Sequence, residues 1–181
     1  MSDKNLTEKQ LTSEDLFEGR ILHLYRDTVE LPNGSTSIRE VIRHNGAVCV
    51  IPVTDDGMVI MERQYRYPIA RVMLEIPAGK LEPGEDPLEG GRRELWEETG
   101  IVAGKMTKIG ELLPAAAYCD ERITMYLATD LRREERHLDE DEFLDVFEIP
   151  LSELVRMVMD GEIADAKTQI AVLKADKLLS K

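Results

Sequence analysis

Residues 79–101, GKLEPGEDPLEGGRRELWEETGI, hold the side chains whose types and spacing could do chemistry. Glu94, Glu97 and Glu98 stand three and four positions apart, which puts them on one face of a helix. Three carboxylates on one turn repel, by a few tenths of a kcal/mol for each exposed i,i+4 pair. Arg93 lies four residues before Glu97 and offsets its charge. Glu94 has Gly90 behind it and Glu98 ahead, so the Glu94/Glu98 pair has no cation at i±4. A hard divalent cation, which prefers oxygen ligands, resolves that repulsion. An isolated ExxEE is usually a solvated acidic face. Here the glutamates come with Gly79, Glu85 and Arg93 at fixed offsets, which a solvated face does not require.

The flanking residues frame this helix. Gly79 is expected to take a backbone conformation that a Cβ would forbid, bringing a loop carbonyl close to bound cations. Pro83-Gly84 supports a turn. Asp86 followed by Pro87 reads as an N-cap and first helical residue, and Gly100 as the C-cap, so the helix runs over 87–99. Gly90 and Gly91 interrupt it at about 1 kcal/mol each relative to alanine. The pair is expected to give close packing of helix on sheet.

Elsewhere, residues 1–15 read as a loosely ordered lead-in. Strands are expected over 21–31 and 38–43, around the turn Pro32-Asn33-Gly34. The continuous apolar run 47–53 reads as a central strand. Asp55-Asp56-Gly57 turns the chain into a strand over 58–67, which Pro68 ends. Residues 72–76 lead into the glycine loop. Further strands are expected over 108–113 and 123–129, joined by a loop over 114–122. A charged loop over 132–142 precedes a last strand, 145–149. Ser152 caps a helix over 153–160 that Gly161 ends, and a second helix runs from 165 to about 179.

Composition narrows the partners. The chain is 43% hydrophobic and 33% charged, a globular rather than a disordered balance. Its formal net charge of −13 argues against a nucleic-acid binder, which needs a basic surface. No apolar stretch approaches the ~18 residues of a membrane span, and the first ten residues lack a signal-peptide core. Cys49 sits in the apolar run AVCVIPV and is expected to be a buried thiol. Cys119 has no CxxC spacing and no nearby histidine, so neither a disulfide nor a thiol site is indicated. These features fit a reducing, cytoplasmic setting.

With Gly79, Glu85, Arg93, Glu94, Leu95, Glu97, Glu98, Gly100 and Ile101 all in place, the segment resembles the box of the Nudix hydrolases. The resemblance extends over nearly all of 17–175 to the bacterial ADP-ribose pyrophosphatases. It is carried by EGRILHL, REVIRHNGAVCVIPV, ERQYRYPI, LEIPAGKLEPGE, AAAYCDERITMYLA, DEDEFLDVFEIPLSEL and DGEIADAKTQIAVL. AAAYCDE departs from the glycine-rich segment that many members carry there. The resemblance implies an α/β fold, an α/β/α sandwich with a mixed sheet, plus a small N-terminal antiparallel sheet. It implies an N-terminal strand region, 1–46, exchanged across a homodimer, and a hydrolase domain, 47–181.

The resemblance also implies roles. Glu94, Glu97 and Glu98, with the Ala78 carbonyl, would hold Mg²⁺, or Mn²⁺ in its place. Glu85 and Arg93 would tie loop to helix. Arg66 would contact a phosphate, and Arg39 and Glu40 the adenosine end. Glu82 would stand close to the metal loop, and Glu121 would either hold its own loop or sit near the metals. A mobile loop brings the general base, matched by Glu140 with Glu142 beside it; otherwise the role falls to Glu97. The implied reaction is hydrolysis of the diphosphate linkage of ADP-ribose to AMP and ribose 5-phosphate. The rivals are another nucleoside diphosphate sugar, such as GDP-mannose, and a non-catalytic domain that senses a nucleotide.

Overall fold

Alternation along β4 (Ala47–Pro52) sets the layers of the larger part of the molecule. Odd-numbered residues of a strand face one way and even-numbered residues the other. Ala47, Cys49 and Ile51 join one buried cluster, with Leu154, Val172 and Ala175. Val48 and Val50 join another, with Leu95, Ile101 and Tyr126. The computed structural model describes residues 6–138 and 143–180. It divides into two units, 1–45 with 113–122, and 46–112 with 123–181.

In the larger unit, β5 (Met58–Arg66), β6 (Arg71–Glu75) and β7 (Ala78–Lys80) lead to α1 (Pro87–Thr99). Then come β8 (Ile101–Leu112), β9 (Ile123–Arg133), β10 (Leu144–Pro150), α2 (Leu151–Met159) and α3 (Ala166–Leu179). One sheet has the order β7-β4-β9-β8, with β4 and β9 parallel and the other pairs antiparallel. The second has the order β10-β5-β6 and is antiparallel. Leu95 of α1 packs on the even face of β4; Leu154 of α2 and Val172 of α3 pack on the odd face. This is the expected α/β/α sandwich with a mixed sheet. No described helix is long and apolar enough to cross a membrane.

The smaller unit is an antiparallel sheet of β1 (Lys9–Glu18), β2 (His23–Glu30) and β3 (Thr36–Arg43), in that order. Asp27, almost fully buried, joins all three strands: it accepts from Ser13 Oγ at 2.6 Å and from Arg43 Nη2 at 2.8 Å. The segment 113–122 adds to this unit through Ile42, whose N–H donates to the Tyr118 carbonyl at 2.8 Å.

Four expectations are corrected. Residues 9–15 belong to β1 rather than to a loose lead-in; almost every side chain of that strand is exposed, so no apolar period marks it. The strand expected from 108 begins at Ile101, and the one expected to end at 129 continues to Arg133. Ser152 does not cap α2, which starts at Leu151 behind Pro150 with no side-chain cap.

Candidate active site

The box helix is built as its sequence predicts at both ends. Asp86 accepts from the Leu88 and Glu89 N–H groups at 2.9 and 3.3 Å, Pro87 occupies the first turn, and Gly100 closes the helix at φ 68°. Gly90 and Gly91 let the helix seat closely. A Cβ at Gly91 would lie 3.1 Å from Val48 Cγ2 on β4, and one at Gly90 2.5 Å from Leu81 Cδ2. Close packing therefore offsets the propensity cost of two mid-helix glycines.

Arg93 organises the acids around it. Its Nε and Nη2 donate to the two oxygens of Glu85 at 2.9 and 3.0 Å, which ties the loop before the helix to the helix itself. Its Nη1 donates to Glu94 Oε1 at 2.9 Å and Glu97 Oε2 at 3.0 Å. The hydrogen bond to Glu85 is the main reason the guanidinium is held even further above its ordinary pKa. The same bond pulls the Glu85 carboxyl below its usual range. Glu94 is therefore offset by its immediate neighbour, which the i±4 rule does not capture.

The loop entering the box lies directly on the glutamates. Glu98, 3% exposed, accepts from the Ala78 N–H at 3.0 Å. Glu94, 9% exposed, packs against Gly79: a Cβ there would fall 2.0 Å from the Glu94 carboxylate. Gly79 is not among the residues of positive φ. Its glycine is required by the space Glu94 takes, not by a conformation closed to other residues.

Arg66, at the end of β5, is held by Glu75 of β6. Its Nε and Nη2 donate to Oε1 and Oε2 at 2.8 Å each. Glu75 is 2% exposed. Burial disfavours its charge, but Arg66 and Lys167 outweigh burial and hold the carboxyl below its usual range. The hydrogen bond to Glu75 raises the Arg66 pKa, and the nearby charges of Glu62 and Glu98 add to it. Of the box glutamates, Glu98 thus acts on the charge of Arg66.

A family model of the NUDIX domain matches residues 43–171. The chain belongs to the Nudix family. A second family model, the nucleoside diphosphate sugar hydrolase N-terminal domain, matches residues 8–42. This Nudix chain is 46% identical to an ADP-ribose pyrophosphatase of Bacillus subtilis (strain 168), over 93% of this chain and 92% of that one. It is 44% identical to a methanol dehydrogenase activator of Bacillus methanolicus, with the same coverage of 93% and 92%. A crystal structure of an ADP compounds hydrolase superposes with a TM-score of 0.85 at 27% identity, covering 96% of this chain and 94% of that chain.

Within the Nudix domain, Ala78, Glu94, Glu97, Glu98 and Arg66 all fall in the larger unit. Arg39 and Glu40 fall in the smaller one. Arg39 donates to Glu8 at 2.9 and 2.5 Å, and Glu40 lies 3.6 Å from Arg26 across the strand pair. Glu82 donates its N–H to Glu85 at 2.9 Å, and Glu121 lies 3.9 Å from His44. Glu140 and Glu142 lie outside the described residues. The chain just before them is pinned to the box helix: the His137 N–H donates to the Glu97 carbonyl at 3.2 Å, and its ring stands 4.9 Å from that of Trp96. The cysteines are free, and burial pushes the Cys49 thiol up to about 12, so it is inert at neutral pH.

The donors of the box suit a hard cation in type: they are carboxylate oxygens, with the backbone of the glycine loop beside them. Among the described residues, no three acid, histidine or cysteine side chains converge as a ready-made ion site. Arg93 is shared by Glu85, Glu94 and Glu97 instead. Sequence reading did not single out Glu75. Its signal was an acid inside the otherwise apolar strand end LEI, next to the glycine loop.

Proposed function

We propose that this Nudix chain hydrolyses the diphosphate linkage of ADP-ribose to AMP and ribose 5-phosphate, with Mg²⁺ as cofactor and Mn²⁺ able to replace it. The observation that carries the reading is the pair of buried carboxylates, Glu94 and Glu98, folded against the Ala78-Gly79 backbone. Arg93 meets the charge of Glu94, and two carboxylates set beside a loop backbone are the oxygen donors that a hard divalent cation prefers. The names of the relatives supply the substrate class.

Glu94, Glu97 and Glu98, with the Ala78 carbonyl, would hold the cation, which competes with Arg93 for Glu94 and Glu97. When bound it supplies charge to neutralise the diphosphate and to acidify water. Arg66 binds a phosphate through Nη1, the end of its guanidinium with no protein partner among the described residues. Glu140 takes the proton of the attacking water, with Glu142 or Glu97 as alternatives. The water oxygen bonds to phosphorus as the P–O–P bridge breaks, and the two monoesters leave. Arg39 and Glu40 bind the adenosine end from the N-terminal region, 1–46, which exchanges strands in a homodimer. The substrate is a small molecule, with neither nucleic acid nor membrane as partner, and the setting is the cytoplasm.

Metal titration tests this reading. Release of AMP and ribose 5-phosphate from ADP-ribose, followed by chromatography, should require Mg²⁺ and stop in EDTA. Undiminished release in EDTA removes the metal. Binding of ADP-ribose without turnover under any divalent metal would make the chain a nucleotide sensor.

A further inference from the structure

The first turn of α3 reaches the same strand end that carries the site, across a separation of 92 residues. Lys167 donates to Glu75 Oε2, on the carboxylate that holds Arg66, and stands 3.2 Å from Asp165. Asp165 caps α3, accepting from the Thr168 N–H at 2.9 Å and the Thr168 hydroxyl at 2.6 Å. The fully buried Thr168 hydroxyl in turn accepts from the Ile76 N–H at 3.0 Å, two residues before Ala78. One helix cap therefore grips the strand end by its side chain and its backbone.

Stability alone does not call for this arrangement. Asp165 already caps the helix, Arg66 already satisfies both oxygens of Glu75, and a buried ion pair is commonly no more stable than an apolar one. Electrostatics gives Lys167 a task. Arg66 has to attract a diphosphate while Glu62, Glu75 and Glu98 surround it, in a chain of net charge −13. A Glu75 carboxylate held by Arg66 alone would cancel that attraction. With Lys167 on the same carboxylate, the positive charge of Arg66 remains available to the substrate.

We propose that Lys167 is a positioning residue for substrate binding: by sharing the Glu75 carboxylate it fixes the Arg66 guanidinium and keeps its charge directed at the diphosphate. The inference rests on the reading of Arg66 as a phosphate contact. It assigns a role in the site to the N-terminal turn of α3.

The test is a double-mutant cycle on the full chain, read by calorimetry with α,β-methylene-ADP-ribose, whose P–C–P bridge is not hydrolysed, in saturating Mg²⁺. Arg66→Met and Lys167→Met should each weaken binding about ten-fold or more, and the double variant no further than Arg66→Met, because one acts through the other. Lys167→Arg, which keeps the charge, should return binding to within about three-fold of the parent. A merely structural lysine would not give this pattern. Should Lys167→Met fail to fold, Lys167→Gln replaces it, with the same expected loss and no further loss beside Arg66→Met. Binding by Lys167→Met, or by Lys167→Gln in its place, within about two-fold of the parent, or losses that multiply in the double variant, overturn the proposal. Unchanged binding by Arg66→Met would overturn the role of Arg66, and this inference with it.

Discussion

The proposed function gives Glu98 two tasks, and substitution separates them. Its carboxylate accepts from the Ala78 N–H, which an amide oxygen can also do, but an amide cannot supply the charge a cation needs. Glu98→Gln should therefore stay folded, with a melting temperature within a few degrees of the parent in EDTA, while kcat falls about 10²-fold or more. Circular dichroism and initial rates check the two halves. Gly79→Ala makes a stricter demand. The added Cβ would overlap the Glu94 carboxylate, so either the loop or the acid moves. Stability should drop by about 1–3 kcal/mol, as overpacking does, and activity should fall with it. Retention of both would mean Glu94 is not held where the site needs it. The base is tested in its own right. Glu140→Gln should lower kcat about 10²- to 10⁴-fold and change KM little. Mild single variants with a severe Glu140→Gln/Glu142→Gln double would assign the base to both. A near-normal double variant would move the role to Glu97.

At the scale of elements, the box helix was legible because both caps and its buried face are written in local residues. Asp86, Pro87 and Gly100 act where the sequence places them. What the sequence hid lies between elements. Arg93 meets Glu94 by a sideways reach, and Glu75 meets Lys167 from a helix 92 residues away. Neither contact leaves a period to read. β8 was cut short in the sequence because Gly104 and exposed lysines break its apolar pattern; the glycine is there because the Asp130 carboxylate fills the place of its Cβ. The tie between loop and box helix predicts a pH response. Glu85 has a pKa lowered in the folded chain, so its contribution is complete above the unfolded value of about 4.3 and is lost as pH falls through the folded one. Urea midpoints from pH 6 to pH 3 should fall on acidification, and less steeply in Glu85→Gln. Equal slopes for both proteins would show that the pair does not couple stability to protons.

At the scale of the whole molecule, local patterns reach only alternating strands and helices; the sandwich, its mixed sheet and the small N-terminal sheet were legible through the family resemblance. The first strand was not, since a sheet edge with exposed side chains on both faces is held by backbone hydrogen bonds that any sequence can make. Strand exchange predicts a mass by light scattering at micromolar concentration of twice the 20.5 kDa of one chain. A strictly monomeric mass would separate Arg39 and Glu40 from any role in a partner's site. With a net charge of −13, the proposed anionic substrate would be attracted only locally, by Arg66 and bound cations. The central claim is tested most directly by comparing kcat/KM for ADP-ribose and GDP-mannose in Mg²⁺, with products resolved by chromatography. ADP-ribose should give AMP and ribose 5-phosphate in equal amounts and be preferred at least about ten-fold. A preference for GDP-mannose, or no AMP from ADP-ribose at any metal concentration, would contradict the claim.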